Sequence, residues 1–128
     1  MVGVLDIVAP GGDIIIASAC SEGMGSVEFV TAQKSLWRLG PDGFTEMLKG
    51  REKAEIDEWQ TEMLMKALRV GNVHLYTEGL SSSDLEDIYV KPIPSIKAAI
   101  LESVKRQGDN RIAVVPEGPY VVPLYKPL

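Results

Sequence analysis

An apolar run from Asp13 to Gly25, which ends in small residues and a glycine-bearing loop, is the strongest pattern along the chain. Its three adjacent isoleucines follow a Gly-Gly turn and precede small polar residues, which is typical of a strand buried on both faces of a parallel sheet. The run therefore predicts a central strand. Residues after Ala19 would lie at the carboxyl end of that strand, where open α/β sheets bind their ligands.

Amphipathic spacing downstream predicts the helices. Each begins near a residue that can cap a helix and ends next to a glycine. The predicted segments are Ser26 to Gly40, a short piece from Asp42 to Gly50, Glu58 to Val70 behind a cap at Asp57, and Ser95 to Gln107, with a further short helix from Ser81 to Asp87.

Short apolar segments between these helices predict three more strands, at Val73 to Tyr76, Ile88 to Val90 and Arg111 to Val115. Strands that alternate with helices favour a parallel sheet covered by helices. The predicted fold class is α/β: one three-layer domain over residues 1–128, with a short, mostly parallel sheet of about four strands and helices on both faces.

Composition narrows the classes of partner and compartment. The net charge of −5, with scattered Lys and Arg, disfavours nucleic acid and an anionic membrane surface as partners. The single Cys20 has no second cysteine to form an internal disulfide, and neither a leader nor a long apolar span is visible, so a cytoplasmic protein is expected. One histidine and one cysteine mark out no metal site.

The loop from Cys20 to Gly25 has two interpretations. Glycines between a strand and a helix N-terminus let backbone N–H groups approach an anion. The letters C-S-E-G-M-G, however, lack the first glycine of the dinucleotide fingerprint and the lysine of a phosphate loop. A tight turn that needs glycine geometry, with no ligand, is the alternative.

Three further residues have a local interpretation that is structural. Cys20 has only the acidic Glu22 beside it and no neighbouring histidine, which indicates a small buried thiol rather than a nucleophile. His74 lies among apolar residues of a predicted strand and indicates a hydrogen-bonded sheet histidine. Trp59 opens a helix, so it can face a cleft, although its local pattern favours the core.

Three sequence blocks occur together: G-G-D-I-I-I-A-S-A-C-S-E-G-M-G-S-V-E-F, then D-E-W-Q with the helix after it, then R-I-A-V-V-P-E-G-P-Y-V-V-P. In this order and spacing they resemble, essentially end to end, the C-terminal domain of the nickel-pincer-dependent lactate racemase family. The resemblance implies a two-domain isomerase that interconverts stereoisomers of a 2-hydroxy acid by hydride transfer to and from a pyridinium-derived cofactor that carries nickel.

The same resemblance places the catalytic groups outside this chain. In the family, the cofactor-bearing lysine and the metal-binding and proton-handling histidines belong to the N-terminal domain. A substrate-side Tyr-Gln-Ser-Val-Lys run lies just upstream of the segment that matches Met1 to Pro10. The resemblance therefore implies no catalytic residue, metal ligand or cofactor in this chain, and a nickel-pincer nucleotide in the full-length protein.

The resemblance implies that this chain forms one wall of the interdomain cleft. Trp59 matches a tryptophan that faces the interdomain cleft in family members. The loop with Ser21, Glu22, Gly23 and Gly25 replaces an acidic, glycine-rich loop that often reads Asp-Gly-His-Gly, with Glu22 at the acidic position and no histidine. These five residues are the predicted cleft residues.

The tail after the last predicted strand is apolar, and the resemblance makes Tyr120, Val121 and Val122 a segment that docks on the N-terminal domain. The predicted function is therefore the C-terminal domain of a lactate racemase-like protein, inactive alone, with the N-terminal domain and a small 2-hydroxy acid as partners. The alternatives are a stand-alone small-ligand or anion-binding module, and an interaction domain that binds a partner through its tail.

Overall fold

Parallel strands form one sheet in the computed structural model, which describes residues 2–124 and 126. Strand β1 (Asp13–Ala17) pairs with β2 (Asn72–Tyr76), and β2 pairs with a short edge strand, β3 (Lys91–Pro92). Ile14 lies opposite Val73 in this register. The carboxyl ends of all these strands therefore share one edge of the sheet.

Three helices cover the sheet: α1 (Val27–Lys49), α2 (Glu58–Val70) and α3 (Ile96–Gln107). Single 3-10 turns lie at Val2–Val4 and Gly118–Tyr120. The predicted break at Gly40-Pro41 is confirmed, because Gly40 has a φ of 71° inside α1 and interrupts the helix there.

The buried core lies between one face of the sheet and helices α1 and α2. It consists of apolar side chains from β1, β2, α1 and α2: Ile14, Ala32, Leu36, Phe44, Leu64, Met65, Ala67 and Val73. On the other face, α3 packs against β1, and none of its residues, all of which the structure describes, is fully buried. The predicted α/β class with helices on both faces is thus confirmed.

An ion-paired network at the amino end of the sheet holds α3 in place. The side chain of Asp13 is 5% exposed and accepts hydrogen bonds from His74 Nε2 at 2.9 Å and Asn72 Nδ2 at 3.1 Å. Arg106, near the end of α3, pairs with the same carboxylate, and Gln107 Nε2 donates to the Gly11 carbonyl at 2.9 Å. These bonds join the end of α3 to the start of β1.

The network also controls the ionisation of Asp13. Burial raises the pKa of this carboxyl, but hydrogen bonds from the surrounding side chains outweigh it and lower the pKa from 3.8 to about 2. The donors are Ser103, His74, Arg106 and Asn72. Because the pKa is lower in the folded state, the stabilisation is complete above pH 3.8 and is lost as the pH falls toward 2.

Asp13→Asn is therefore expected to lower the free energy of unfolding by about 2 kcal/mol at pH 7. Between pH 4 and 2 the difference from the parent chain should shrink, because the parent loses the same stabilisation when Asp13 is protonated. Urea unfolding at a series of pH values measures this, with exposed Asp6→Asn as the control. A constant difference across that range would contradict the account.

Among the residues that the structure describes, the sheet has three strands where about four were predicted, because Arg111 to Val115 forms no strand. Asp109 Oδ1 accepts the Arg111 backbone N–H at 2.9 Å, so a local side-chain bond takes the amide that a ladder would need. Ile112 and Val114 are correspondingly exposed.

Two other predicted elements are also wrong in place or type. The third strand is Lys91–Pro92 rather than Ile88 to Val90, because β2 pairs with residues 91 and 92 and the Ile93 N–H donates to the Leu75 carbonyl at 2.9 Å. A proline is compatible with this edge position. The segment from Ser81 to Asp87 forms turns rather than a helix, and Ser81 and Asp84 bond to each other instead.

Candidate functional site

The loops after β1 and β2 meet backbone to backbone at the carboxyl edge of the sheet. Thr77 Oγ1 donates to the Ala19 carbonyl at 3.3 Å. A Cβ atom at Gly79 would lie 2.0 Å from that carbonyl oxygen and 2.7 Å from the Cys20 oxygen. Only glycine allows this approach, and sequence reasoning did not select Gly79. Its position shortly after a predicted strand was the available signal.

The predicted loop residues Ser21, Glu22, Gly23 and Gly25 are all exposed at this edge. The Gly23 N–H donates to the Cys20 carbonyl at 2.9 Å and closes a turn. Gly23 and Gly25 have φ angles of 72° and 95°, and a Cβ at either would meet no atom within 4 Å. Backbone conformation therefore accounts for both glycines within this chain.

Cys20 and His74 have separate surroundings. Cys20 is only half-buried, and its Sγ lies 3.5 Å from Ser18 Oγ. His74 instead bonds Asp13 through Nε2, which fixes the proton on that nitrogen because the carboxylate can only accept. Its buried Nδ1 has no hydrogen-bond partner among the residues that the structure describes. The predicted sheet histidine is thus satisfied at one nitrogen.

The starts of α1 and α2 are joined by a hydrogen bond between residues far apart in sequence. Ser26 Oγ accepts the Phe29 N–H at 3.0 Å, as predicted for a cap, and donates to Asp57 Oδ2 at 2.6 Å. Asp57 makes no side-chain cap bond to its own helix and has a φ of 64°. Its other oxygen, Oδ1, accepts from Gln60 Nε2 at 2.9 Å.

Trp59 projects from this junction and is 62% exposed, so the local interpretation of a core tryptophan is wrong. Its neighbour Glu58 is 6% exposed, pairs with Arg51 and accepts the Glu55 N–H at 2.7 Å. The Ser26 bond to Asp57 connects the end of the predicted cleft loop to the helix start that carries Trp59. The structure thus links the two parts of the predicted cleft.

The apolar tail is largely uncovered in this chain. Tyr120 is 86% exposed and Val122 is 72% exposed, whereas Val121 is 39% exposed. A Cβ at Gly3 would lie 3.4 Å from the Val121 carbonyl oxygen, so the tail runs beside the first turn of the chain.

Two open grooves are each lined in part by Trp37 and Asp87. The Trp37 ring is half-exposed and contacts the Tyr89 ring edge-on, with centroids 5.6 Å apart. Neither groove contains Trp59 or the loop of residues 21–25.

Metal-ligating side chains are not clustered within the described residues, where no group of three or more His, Cys, Asp or Glu could hold a metal ion. The donor set therefore does not fit nickel. Within residues 2–124 and 126, no helix is long and apolar enough to cross a membrane.

Comparison with known proteins gives consistent matches. Residues 2–122 match the family described as the lactate racemase C-terminal domain. The lactate racemase of Thermoanaerobacterium thermosaccharolyticum is 29% identical over 115 residues, a match that covers 88% of this chain and only 26% of that protein. The solved structure of the lactate racemase apoprotein from that organism matches with a TM-score of 0.67 at 21% identity, over 80% of this chain and 25% of the other, which shows the shared fold.

Proposed function

Because the chain belongs to the lactate racemase C-terminal domain family, we propose that it is the substrate-covering half of a two-domain 2-hydroxy acid racemase or epimerase. In this proposal it supplies cleft walls and interdomain contacts, and an N-terminal domain supplies the catalytic groups. The observation that carries the proposal is the family match over residues 2–122. The chain spans 26% of the length of its curated relative, which leaves the rest of that protein for the catalytic groups.

The exposed Trp59 supports a cleft role. A large aromatic ring that stands in solvent on a helix whose adjacent residues are hydrogen-bonded is a typical anchor for a partner surface. With the cleft closed, the indole would exclude water from the substrate, and the loop of Ser21, Glu22, Gly23 and Gly25 would form the adjoining wall.

The cofactor belongs to the other domain in this proposal. A nickel-pincer nucleotide would supply the hydride acceptor there, but the donors described in this chain do not fit nickel, and we derive no step through it. The contribution of this chain is to orient the substrate and keep water away. A cytoplasmic location stays a prediction.

The tail supports an interdomain contact. Tyr120 and Val122 expose apolar area that a catalytic domain could cover, and Val121 runs beside Gly3 at the opposite end of the chain. Both segments would then leave the domain on one side, next to the proposed partner.

The test combines this chain with the N-terminal domain proposed above, loaded with its cofactor, and measures interconversion of D- and L-lactate and other small 2-hydroxy acids. We expect activity from the pair and from neither part alone. Racemisation or stoichiometric nickel in the isolated chain, or an inactive pair, would contradict the proposal. A lactate-dependent rise in the Tm of the isolated chain would support the stand-alone binding module instead.

Truncation after Gly118 is expected to weaken binding of the catalytic domain by roughly 10-fold or more, because it removes the exposed apolar tail. The Tm of the isolated chain should change little, since Tyr120, Val122 and Leu124 are largely exposed among the removed residues that the structure describes. Calorimetric titration of the two domains measures the loss. The matched control is Lys126→Ala, which leaves the apolar residues in place, and an unchanged affinity after truncation would contradict the docking role.

A further inference from the structure

Trp59 is exposed, yet every residue around it in sequence from Asp57 to Gln60 is held by a hydrogen bond. Glu58 is buried and bonded to Arg51 and to the Glu55 backbone, and Gln60 bonds Asp57. We call Ser26, Asp57, Glu58 and Gln60 the Trp59 platform. A helix start that is fixed in this way sets the direction in which the Trp59 side chain leaves the backbone before any partner arrives.

The bond between Ser26 and Asp57 is the part of the platform that links two helices. Asp57 does not cap α2, although it stands at the cap position, and its left-handed backbone is rare for a residue other than glycine. Such a conformation persists only where the surroundings fix it. Here both carboxylate oxygens are occupied, Oδ2 by Ser26 at 2.6 Å and Oδ1 by Gln60 at 2.9 Å.

We propose that Ser26 and Asp57 are positioning residues for Trp59: their hydrogen bond locks the start of α2 against the start of α1 and so sets where the Trp59 side chain leaves the helix toward the cleft. The inference rests on the proposed function, in which Trp59 lines that cleft. A helix start held in advance loses less conformational freedom when the catalytic domain closes on Trp59, so the platform raises the affinity between the domains without touching the substrate.

The bond is not required for capping. Ser26 already caps α1 by accepting the Phe29 N–H at 3.0 Å, and that cap needs no partner for the hydroxyl proton. A purely structural role would therefore predict that loss of Asp57 affects the whole domain or nothing. A positioning role predicts a change confined to Trp59.

The test uses the chain labelled with 5-fluorotryptophan. The chain has two tryptophans, so fluorine NMR shows one resonance for Trp37 and one for Trp59, and Trp59→Phe assigns them. Ser26→Gly removes the hydroxyl at little cost to the cap. Asp57→Gly accepts the left-handed backbone and removes both side-chain bonds. The conservative variants Ser26→Thr and Asp57→Asn keep an oxygen able to make the bond.

We expect the Trp59 resonance of both glycine variants to move toward that of free 5-fluorotryptophan and to narrow, while the Trp37 resonance stays in place. The conservative variants should give the parent spectrum. An unmoved Trp59 resonance in both glycine variants would overturn the inference. Movement of both resonances together would also overturn it, because the bond would then support the whole fold.

A second measurement separates this inference from the proposed function. The Kd for the catalytic domain should rise roughly 3- to 10-fold in the glycine variants, and further in Trp59→Ala. If the Trp59 resonance moves but Trp59→Ala leaves both Kd and racemisation unchanged, the cleft role of Trp59 fails. If Trp59→Ala weakens binding but the resonance never moves, only the positioning role of Ser26 and Asp57 fails.

Discussion

Gly79→Ala is expected to lower the free energy of unfolding by about 2–4 kcal/mol, because the new methyl group has no space at the carboxyl edge of the sheet. Its carbon would lie 2.0 Å from the Ala19 carbonyl oxygen, well inside van der Waals contact. The obstructing atoms are backbone, so no side-chain rotation relieves the clash. The two loops would have to separate.

The measurement is thermal and urea unfolding, in which a loss of that size lowers the Tm by roughly 10 °C for a chain of this length. Gly118→Ala is the matched control, since a Cβ there meets no atom within 4 Å and its φ lies outside the left-handed region. Equal stability of the two variants would contradict the close packing of these loops.

Separation of the loops would also reach the proposed cleft. The Cys20 carbonyl oxygen would lie 2.7 Å from the new carbon. The same oxygen accepts the Gly23 N–H and closes the turn of residues 20–23. Gly79→Ala should therefore alter the exposed loop even in molecules that remain folded. Amide exchange at Gly23 would show this as faster exchange than in the parent chain.

Local sequence patterns predicted the long helices well, whereas the short helix predicted from Ser81 to Asp87 is wrong. The predicted bounds of Glu58 to Val70 agree with α2. The amphipathic repeat and the Gly71 that ends the helix are both local features of the sequence. Ser95 and Gly108 likewise mark the ends of α3, where the serine oxygen accepts the Ala98 N–H and the glycine is left-handed. Caps and stops depend on neighbours within four residues, which the sequence displays directly.

Features that depend on distant residues could not be predicted in this way. A strand at Arg111 to Val115 would need the edge of another strand to pair with. The apolar residues in this segment do not show that the Arg111 N–H donates to the Asp109 side chain. The exposure of Trp59 could not be predicted locally either, since its local pattern favours a core position. Only the family resemblance predicted that Trp59 faces a cleft.

The junction at Ser26 shows the same limit in the candidate site. Both Ser26 and Asp57 were predicted as helix caps, and one of them is. The 2.6 Å hydrogen bond between them spans 31 positions and arises only when α1 and α2 pack side by side. Gly79 and Ala19 are even farther apart in sequence, so their contact is also visible only in the fold.

Trp59→Ala should have the largest effect on function: we expect kcat/KM of the assembled enzyme to fall roughly 10- to 100-fold. A tryptophan contributes a large apolar area to an interface, and its loss would admit water beside the substrate. If the indole contacts the bound hydroxy acid directly, KM rises most. If the indole acts through closure of the cleft, kcat falls together with kcat/KM.

A stability measurement distinguishes a loss of kcat/KM at the cleft from a loss of folded protein. Trp59 is 62% exposed, so the Trp59→Ala variant of the isolated chain should keep its free energy of unfolding within about 0.5 kcal/mol of the parent. Trp37→Phe is the control, because this half-exposed ring lines two grooves that include none of the predicted cleft residues, and the racemisation kinetics of this variant should match the parent. Unchanged kinetics in Trp59→Ala, or an equal loss in both variants, would remove Trp59 from the cleft and leave the apolar tail as the main contact between the domains.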